Sequence, residues 1–160
     1  MMFPVRRTIF LAALVLLLAA SSLNASAVEK IRPDQRAVEL IDRLLAALSI
    51  QDPDERLRAV IPLVHRSMLT EDGKDLDRDT KDFSYKKACQ NVGFYRYPAD
   101  IKEVHKGNVY TIGWKETAEK GRTDRYFIRK KPGASGVPAP LSVFLPENGG
   151  PPKIVDMGSL

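Results

Sequence analysis

The chain has few of the residues on which common metal and redox sites depend. Cys89 is the only cysteine among 160 residues, so no disulfide can form within the chain. His65 and His105 are the only histidines, and neither lies close in sequence to a set of other metal ligands. Because a protein metal site usually needs three or more convergent ligands, the sequence predicts no metal site and no cofactor. We expect each histidine to be a surface or helix-capping residue, and the cysteine to be a buried small hydrophobe.

Several enzyme motifs are also missing. The sequence has no serine nucleophile elbow, no glycine-rich phosphate loop and no His-Glu-x-x-His pair. The acidic connector at 70–79 alternates aspartates as a calcium loop does, but Thr80 stands where that loop needs glycine and Lys86 where it needs glutamate. The sequence therefore predicts a solvated loop there, and it marks no catalytic residue.

Long apolar runs are absent as well. Thr8–Ala20 is apolar over 13 residues, whereas a membrane-spanning helix needs about 20. The run follows Arg6-Arg7 and precedes Ala25-Ser26-Ala27, which is the pattern of a signal peptide with cleavage before Val28. We therefore expect a signal peptide at 1–27, export to the periplasm or beyond the cell, and no membrane attachment after cleavage.

Cleavage would leave a single domain at 28–160 with a small positive charge. Its 23 basic and 20 acidic residues give a net charge of +3. The longest basic block is Arg129–Lys131, whereas nucleic-acid-binding proteins usually concentrate basic residues on one face. The sequence therefore predicts no nucleic-acid partner.

Two helices are predicted at the start of this domain. Asp34 is a candidate N-cap for the first, whose apolar residues recur at helical spacing from Val38 to Leu48. Asp52 followed by Pro53 is a strong start signal for the second. Pro62 predicts a break in that second helix near Ile61, because proline removes a backbone hydrogen bond and clashes with the preceding turn.

A third, short helix is predicted to begin at a Thr80 cap and to end at Gly93. The residues expected on its buried side are Phe83, Ala88, Cys89 and Val92.

The last third of the chain, from Asp100 to Asp156, has the composition of an antiparallel sheet. Its β-rich stretches are Val109–Glu116, Tyr126–Ile128 and Leu141–Leu145. Turn signals occur at Lys106-Gly107-Asn108, Lys120-Gly121-Arg122, Lys131-Pro132-Gly133 and Glu147-Asn148-Gly149-Gly150. Such a sheet must bury one face, so the upstream helices are expected to cover it.

This order of elements resembles the nuclear-transport-factor-2-like superfamily, which includes ketosteroid isomerases and SnoaL-like cyclases. The resemblance is carried by the strands Val109–Lys115 and Asp124–Lys130 and by the ending Leu141–Leu145 with Lys153-Ile154-Val155-Asp156, and it departs from such endings at Pro151-Pro152. It implies an α+β fold in which N-terminal helices pack on a strongly curved, cone-like antiparallel sheet.

In such a cone a pocket opens between the helices and the concave face of the sheet. Alternation along the strands puts Tyr110, Trp114 and Tyr126 on the larger, concave set, so these residues are the predicted pocket lining. The alternative is that they are core residues with satisfied polar tips. The strand-associated acids Asp100, Asp124 and Asp156 lie in no recognisable catalytic motif.

Three functions fit these features. The first is an exported, non-catalytic protein that binds a small molecule or a protein partner. The second is a small-pocket isomerase, dehydratase or hydrolase of the SnoaL-like type, and the third is a structural or inhibitory module of the cell envelope. We also expect a homodimer through the outer sheet face, because alternation turns Phe127 and Phe144 away from the cone.

Overall fold

The computed structural model describes residues 28–113 and 118–160, and its fold is α+β. The helices are α1 (Gln35–Leu48), α2 (Pro53–Val60) and α3 (Lys86–Asn91). The strands are β1 (Lys30–Ile31), β2 (Ile101–His105), β3 (Val109–Ile112), β4 (Glu119–Ile128), β5 (Ala139–Pro146) and β6 (Lys153–Asp156). The predicted signal peptide at 1–27 lies outside the described residues.

All strand pairs of this sheet are antiparallel, in the order β1-β2-β4-β5-β6, with β3 also paired to β4. The sheet is not closed, because β1 and β6 do not pair in the part of the chain that the structure describes. The prediction of helices on an antiparallel sheet is confirmed, whereas the cone-like curl stays a prediction. In the same part of the chain, no helix has the length and apolarity needed to cross a membrane.

The two predicted N-caps are confirmed. The Asp34 carboxylate accepts a hydrogen bond from the backbone N–H of Arg36 at 2.9 Å, and Asp52 accepts one from Glu55 at 2.8 Å. The face of α1 that packs on the sheet is fully apolar and consists of Ala37, Leu40, Ile41, Leu44, Leu45, Ala47 and Leu48.

The break after α2 is also confirmed. The helix ends at Val60, a 3₁₀ turn covers Ile61–Leu63, and the chain is extended at Val64. Val64 then pairs with Ile154 of β6, and the backbone N–H of His65 donates to the carbonyl of Ile154 at 2.7 Å. The proline therefore redirects the chain from the helical layer to the edge of the sheet.

The third helical segment differs from its prediction. Asp77, not Thr80, caps it, since the Asp77 carboxylate accepts from the backbone N–H of Thr80 at 3.1 Å. A π-helical turn at Thr80–Tyr85 precedes α3, and Phe83 is 71% exposed. A π turn has one residue more than an α turn, which explains why a regular helical spacing wrongly placed Phe83 on the buried side.

Strand β4 is longer than predicted and organises the sheet. Its first half pairs with β3, its second half with β2, and Gly121–Ile128 pairs with β5. The predicted turn at Lys120-Gly121-Arg122 is therefore wrong, because Gly121 lies within the strand. The other three turn signals fall between strands, as predicted.

The two faces of β4 have different environments. Asp124, Tyr126 and Ile128 are buried on the inner face, which packs on α1 together with Leu141, Val143 and Ile154. Thr123, Arg125 and Phe127 alternate with them on the outer face. The hydrophobic core therefore lies between one face of the sheet and the N-terminal helices.

Candidate functional site

Tyr126 lies in the core. Its side chain is fully buried, and its hydroxyl accepts a hydrogen bond at 3.3 Å from the backbone N–H of Asp34, the residue that caps α1. Burial raises the pKa of Tyr126 to about 12. This geometry fits the core-packing interpretation, in which the polar tip of a buried tyrosine finds a partner.

Tyr110 lies on the other face of the sheet. It pairs with Gly121, and its hydroxyl donates to the Thr123 hydroxyl at 2.8 Å on the outer face. The structure therefore does not bring Tyr110 and Tyr126 together, and the prediction that they share a concave face is wrong. Trp114 lies outside the described residues. Whether these three side chains contact a ligand stays a prediction.

A cavity of about 300 Å³ lies at one end of the sheet, where the start of α1 meets the start of β4 and the end of β5. Its charged groups are largely paired with one another. Arg122 forms a two-point ion pair with the buried Asp124 carboxylate at 2.8 and 2.9 Å, and Arg36 pairs with Asp34 at 3.3 Å. A ligand would have to compete with these internal pairs.

The Asp124 carboxylate has a structural role. Besides Arg122, it accepts a hydrogen bond from the backbone N–H of Gly107 at 3.0 Å, which fixes the loop between β2 and β3 against β4. Asp100 lies elsewhere and pairs with Arg129 at 3.3 Å, and Asp156 accepts a hydrogen bond from the backbone N–H of Gly158 at 2.8 Å. The acids that sequence reasoning singled out are therefore not gathered in one site.

His65 is a buried capping residue. Its Nδ1 accepts a hydrogen bond at 3.1 Å from the backbone N–H of Ser67, at the start of a 3₁₀ turn. The neutral ring therefore carries its proton on Nε2, which donates to the Glu119 carboxylate at 3.2 Å. The capping role is confirmed, whereas a surface position is wrong, because the side chain is 1% exposed.

A second cavity, of about 480 Å³, lies between α2 and the helical segment at 81–90. We call it the helical cavity. Its apolar lining consists of Pro53, Leu57, Tyr85 and Cys89, and its charged lining consists of Arg56, Lys81, Lys86 and Asp54. Cations thus outnumber acids around an apolar centre, which is a pattern suited to an amphipathic anion.

Arg56, which lines the helical cavity, has one unsatisfied hydrogen-bond donor. The guanidinium of Arg56 donates through Nη2 to the carbonyl of Gln51 at 2.9 Å, but its buried Nε has no partner among the described residues. Leaving a buried donor unpaired costs about 1–3 kcal/mol, more for a charged group.

Two side chains of the π-helical turn line the same cavity. Burial raises the pKa of Tyr85 to about 12, with the neighbouring Cys89 thiol adding to the shift. Lys81 pairs with Asp75 at 2.6 Å, and this ion pair lowers the pKa of the Asp75 carboxyl. Single π turns inside helices are frequent at functional sites.

Sequence reasoning missed this cavity. It treated Cys89 as a small core residue and assigned no role to Arg56 or Tyr85. Neither residue lies in a motif, and the π turn has no signal in local sequence. The start signal at Asp52-Pro53 placed α2 correctly, but not the segment that packs beside it.

The described residues contain no group of three or more side chains able to hold a metal ion. The carboxylates of the acidic connector bind neighbouring backbone groups: Asp75 accepts from the backbone N–H of Leu76 at 2.7 Å, and Asp77 caps the helical segment that follows.

Comparison with family models, with curated proteins and with solved structures gave no significant match for this chain. The function is therefore inferred from the geometry of the chain's own residues.

Proposed function

We propose that this is an exported, non-catalytic binding protein that holds a small amphipathic carboxylate in the helical cavity. The observation that carries the proposal is an apolar lining with three cations, Arg56, Lys81 and Lys86, around the same cavity. A cavity of about 480 Å³ falls within the usual range for small-molecule sites, about 300–1,000 Å³.

The cavity offers complementary contacts to the two ends of such a ligand. Leu57, Tyr85 and Cys89 would bury an alkyl or ring portion, which gains free energy in proportion to the apolar area removed from water. The carboxylate would accept from Arg56, with Lys86 at the same rim. Hydrogen bonds between charged groups are stronger than neutral ones, so they would fix the ligand's orientation.

A small-pocket enzyme of the SnoaL-like type is the alternative. That function needs an accessible acid or base next to a substrate. The Asp124 carboxylate is buried and already accepts from Arg122 and Gly107, and Tyr126 is packed in the core. These contacts favour binding over catalysis, and membership of the nuclear-transport-factor-2-like superfamily remains part of the proposal.

Titration calorimetry on the mature protein tests the proposed ligand class. Octanoate should bind saturably, whereas octanol, which lacks the charge, should bind at least about tenfold more weakly, since a charge-assisted hydrogen bond contributes about 1.5–3 kcal/mol. Arg56→Gln should weaken octanoate binding by a similar factor. The matched control is Arg36→Gln, in the other cavity, which should leave binding unchanged. Equal binding of octanoate and octanol, or a loss in the control alone, would overturn the proposal.

Export is tested separately. The basic pair Arg6-Arg7, the short apolar run and Ala25-Ser26-Ala27 support a signal peptide. N-terminal sequencing of the protein recovered outside the cytoplasm should begin at Val28. A protein that keeps Met1 and stays with the membrane would contradict export.

A further inference from the structure

A second surface, formed by residues that do not line the helical cavity, combines exposed aromatic rings with cations. It is formed by two loops, 92–98 and 131–138, which lie side by side. The backbone N–H of Lys131 donates to the carbonyl of Phe94 at 2.8 Å, and the Lys131 ammonium donates to the carbonyl of Gly93 at 2.8 Å. Tyr95 pairs with Lys130, so the first loop is attached to the end of β4. We call this surface the loop face.

The apolar side chains of the loop face point into solvent. Phe94 is 48% exposed and Tyr97 69%, while Tyr95 between them is buried and anchors the loop. Val137 of the second loop is 80% exposed. The Lys130 ammonium connects the two loops, since it lies 5.8 Å from the centre of the Phe94 ring and donates to the Ser135 carbonyl at 2.9 Å.

The charge of the loop face is positive. Its cations are Arg96, Lys130 and Lys131. Two acids lie beside it: Asp100 is paired with Arg129 at 3.3 Å, and Asp42 accepts a hydrogen bond from the backbone N–H of Ala99 at 2.6 Å. An open cavity of about 680 Å³ lies between Tyr97 and Lys131, and it is wide enough for a phosphate-bearing headgroup.

We propose that the loop face docks on membranes that contain anionic lipids, in place of the expectation from the sequence that the cleaved protein has no membrane attachment. Aromatic side chains favour the interface between lipid headgroups and hydrocarbon, where one side of the ring is apolar and the other wet. Lysine and arginine near an anionic surface each add to the attraction. A surface that combines exposed apolar side chains with neighbouring cations therefore matches an anionic lipid surface better than it matches a neutral protein partner. The inference is independent of the helical cavity and of any ligand bound there.

Co-sedimentation of the mature protein with vesicles tests this inference. Vesicles of phosphatidylcholine with phosphatidylglycerol should bind the protein, and binding should weaken at high salt because exposed charges are screened. Vesicles of phosphatidylcholine alone should bind it much more weakly. The double variant Lys130→Gln/Lys131→Gln should lose roughly tenfold or more in affinity, in line with two lost cations. The double variant Phe94→Ser/Tyr97→Ser should lose binding to a similar extent.

Two matched controls lie outside the loop face. Phe83 is also exposed and Lys74 lies in the acidic connector, so Phe83→Ser and Lys74→Gln should keep the binding of the unchanged protein. Circular dichroism confirms that each variant is folded, and the buried Tyr95 is left unchanged for that reason. An absence of binding to anionic vesicles, or equal losses in the controls, would overturn the proposal. Binding to polyglutamate without binding to vesicles would also overturn it and would assign the loop face to an acidic protein.

Discussion

The ring of Phe144 lies across Gly121 on the neighbouring strand, so closely that a Cβ atom on Gly121 would come within 2.6 Å of a ring carbon. Phe144 is completely buried there, although it lies on the outer face, and the edge of the His65 ring packs against it with 5.2 Å between ring centres. A glycine in the middle of a strand usually weakens it. In this strand the glycine makes the space that an aromatic ring occupies.

The first prediction follows from this contact. Gly121→Ala should lower the free energy of unfolding by about 1–3 kcal/mol, because the added methyl group would meet both the Phe144 ring and the backbone carbonyl of Leu145 in a filled site. Urea denaturation with fluorescence detection measures the change. Gly93→Ala is the control, since a Cβ at Gly93 would meet nothing within 4 Å, and it should change stability little. Equal denaturation midpoints for Gly121→Ala and the unchanged protein would contradict the packing of Phe144.

The second prediction concerns pH. Burial lowers the pKa of His65 below its ordinary value of 6.5, although the Glu119 carboxylate opposes the shift. Between the lowered folded value and 6.5 the unfolded chain binds the proton more readily, so protonation favours unfolding. The stability that neutral His65 contributes is therefore fully present above about pH 6.5. It is lost as the pH falls below 6.5 and through the lowered pKa of His65 in the folded protein. Protonation also removes the Nδ1 acceptor that caps the turn at Ser67.

Urea midpoints measured between about pH 7.5 and pH 5.5 check this behaviour. The midpoint should decrease toward pH 5.5, and His65→Asn should make the curve flatter in that window. Glu119→Gln removes the carboxylate that stabilises the protonated ring, so it should make the decrease steeper. A midpoint independent of pH in the unchanged protein would rule out a lowered His65 pKa.

The third prediction concerns the start of α2. Asp52→Ala removes the carboxylate that accepts from the backbone N–H of Glu55, and it should cost about 0.5–2 kcal/mol in the free energy of unfolding. Asp52→Asn retains an acceptor at this position and should recover most of the loss. Thermal denaturation of the three proteins distinguishes these outcomes. If alanine and asparagine have the same effect, the loss does not come from the cap.

The accuracy of sequence reasoning here depends on how local each signal is. Asp34, Asp52 and Pro62 act on backbone groups within a few residues, and the structure has the predicted caps and break at all three. Gly121 gave a turn signal of the same strength, but its role is set by Phe144, which is 23 positions further along the chain. A local pattern contains no information about that ring.

The candidate site also depends on contacts between residues that are distant in sequence. Strand alternation predicts which residues share a face only when the pairing register is known, and a shift of one residue reverses the answer. The register of β3 with β4 pairs Tyr110 with Gly121 and turns it away from Tyr126. The helical cavity was missed for another reason, since it depends on how Arg56 and Tyr85 of two different segments pack together.

The last prediction is the homodimer, and the structure changes the residues that would form it. The premise that Phe144 is exposed is wrong, because the ring is buried within one chain. Phe127 remains on the outer face, where the His105 ring lies against it with 4.4 Å between ring centres. Tyr110 is on the same face and 45% exposed. We therefore expect a dimer through the outer face to use Phe127 and Tyr110.

Light scattering of the mature protein at micromolar concentration tests this association. Tyr110→Lys should shift the protein toward monomer without unfolding it, because an unpaired charge in an interface is unfavourable. Phe83→Lys introduces the same charge on the helical side and should leave the molecular mass unchanged. Phe144→Lys should instead unfold the protein, because it buries a charge in a packed site. A monomeric mass in the unchanged protein at every concentration would contradict the dimer, and a dimer that survives Tyr110→Lys would show that its interface lies elsewhere.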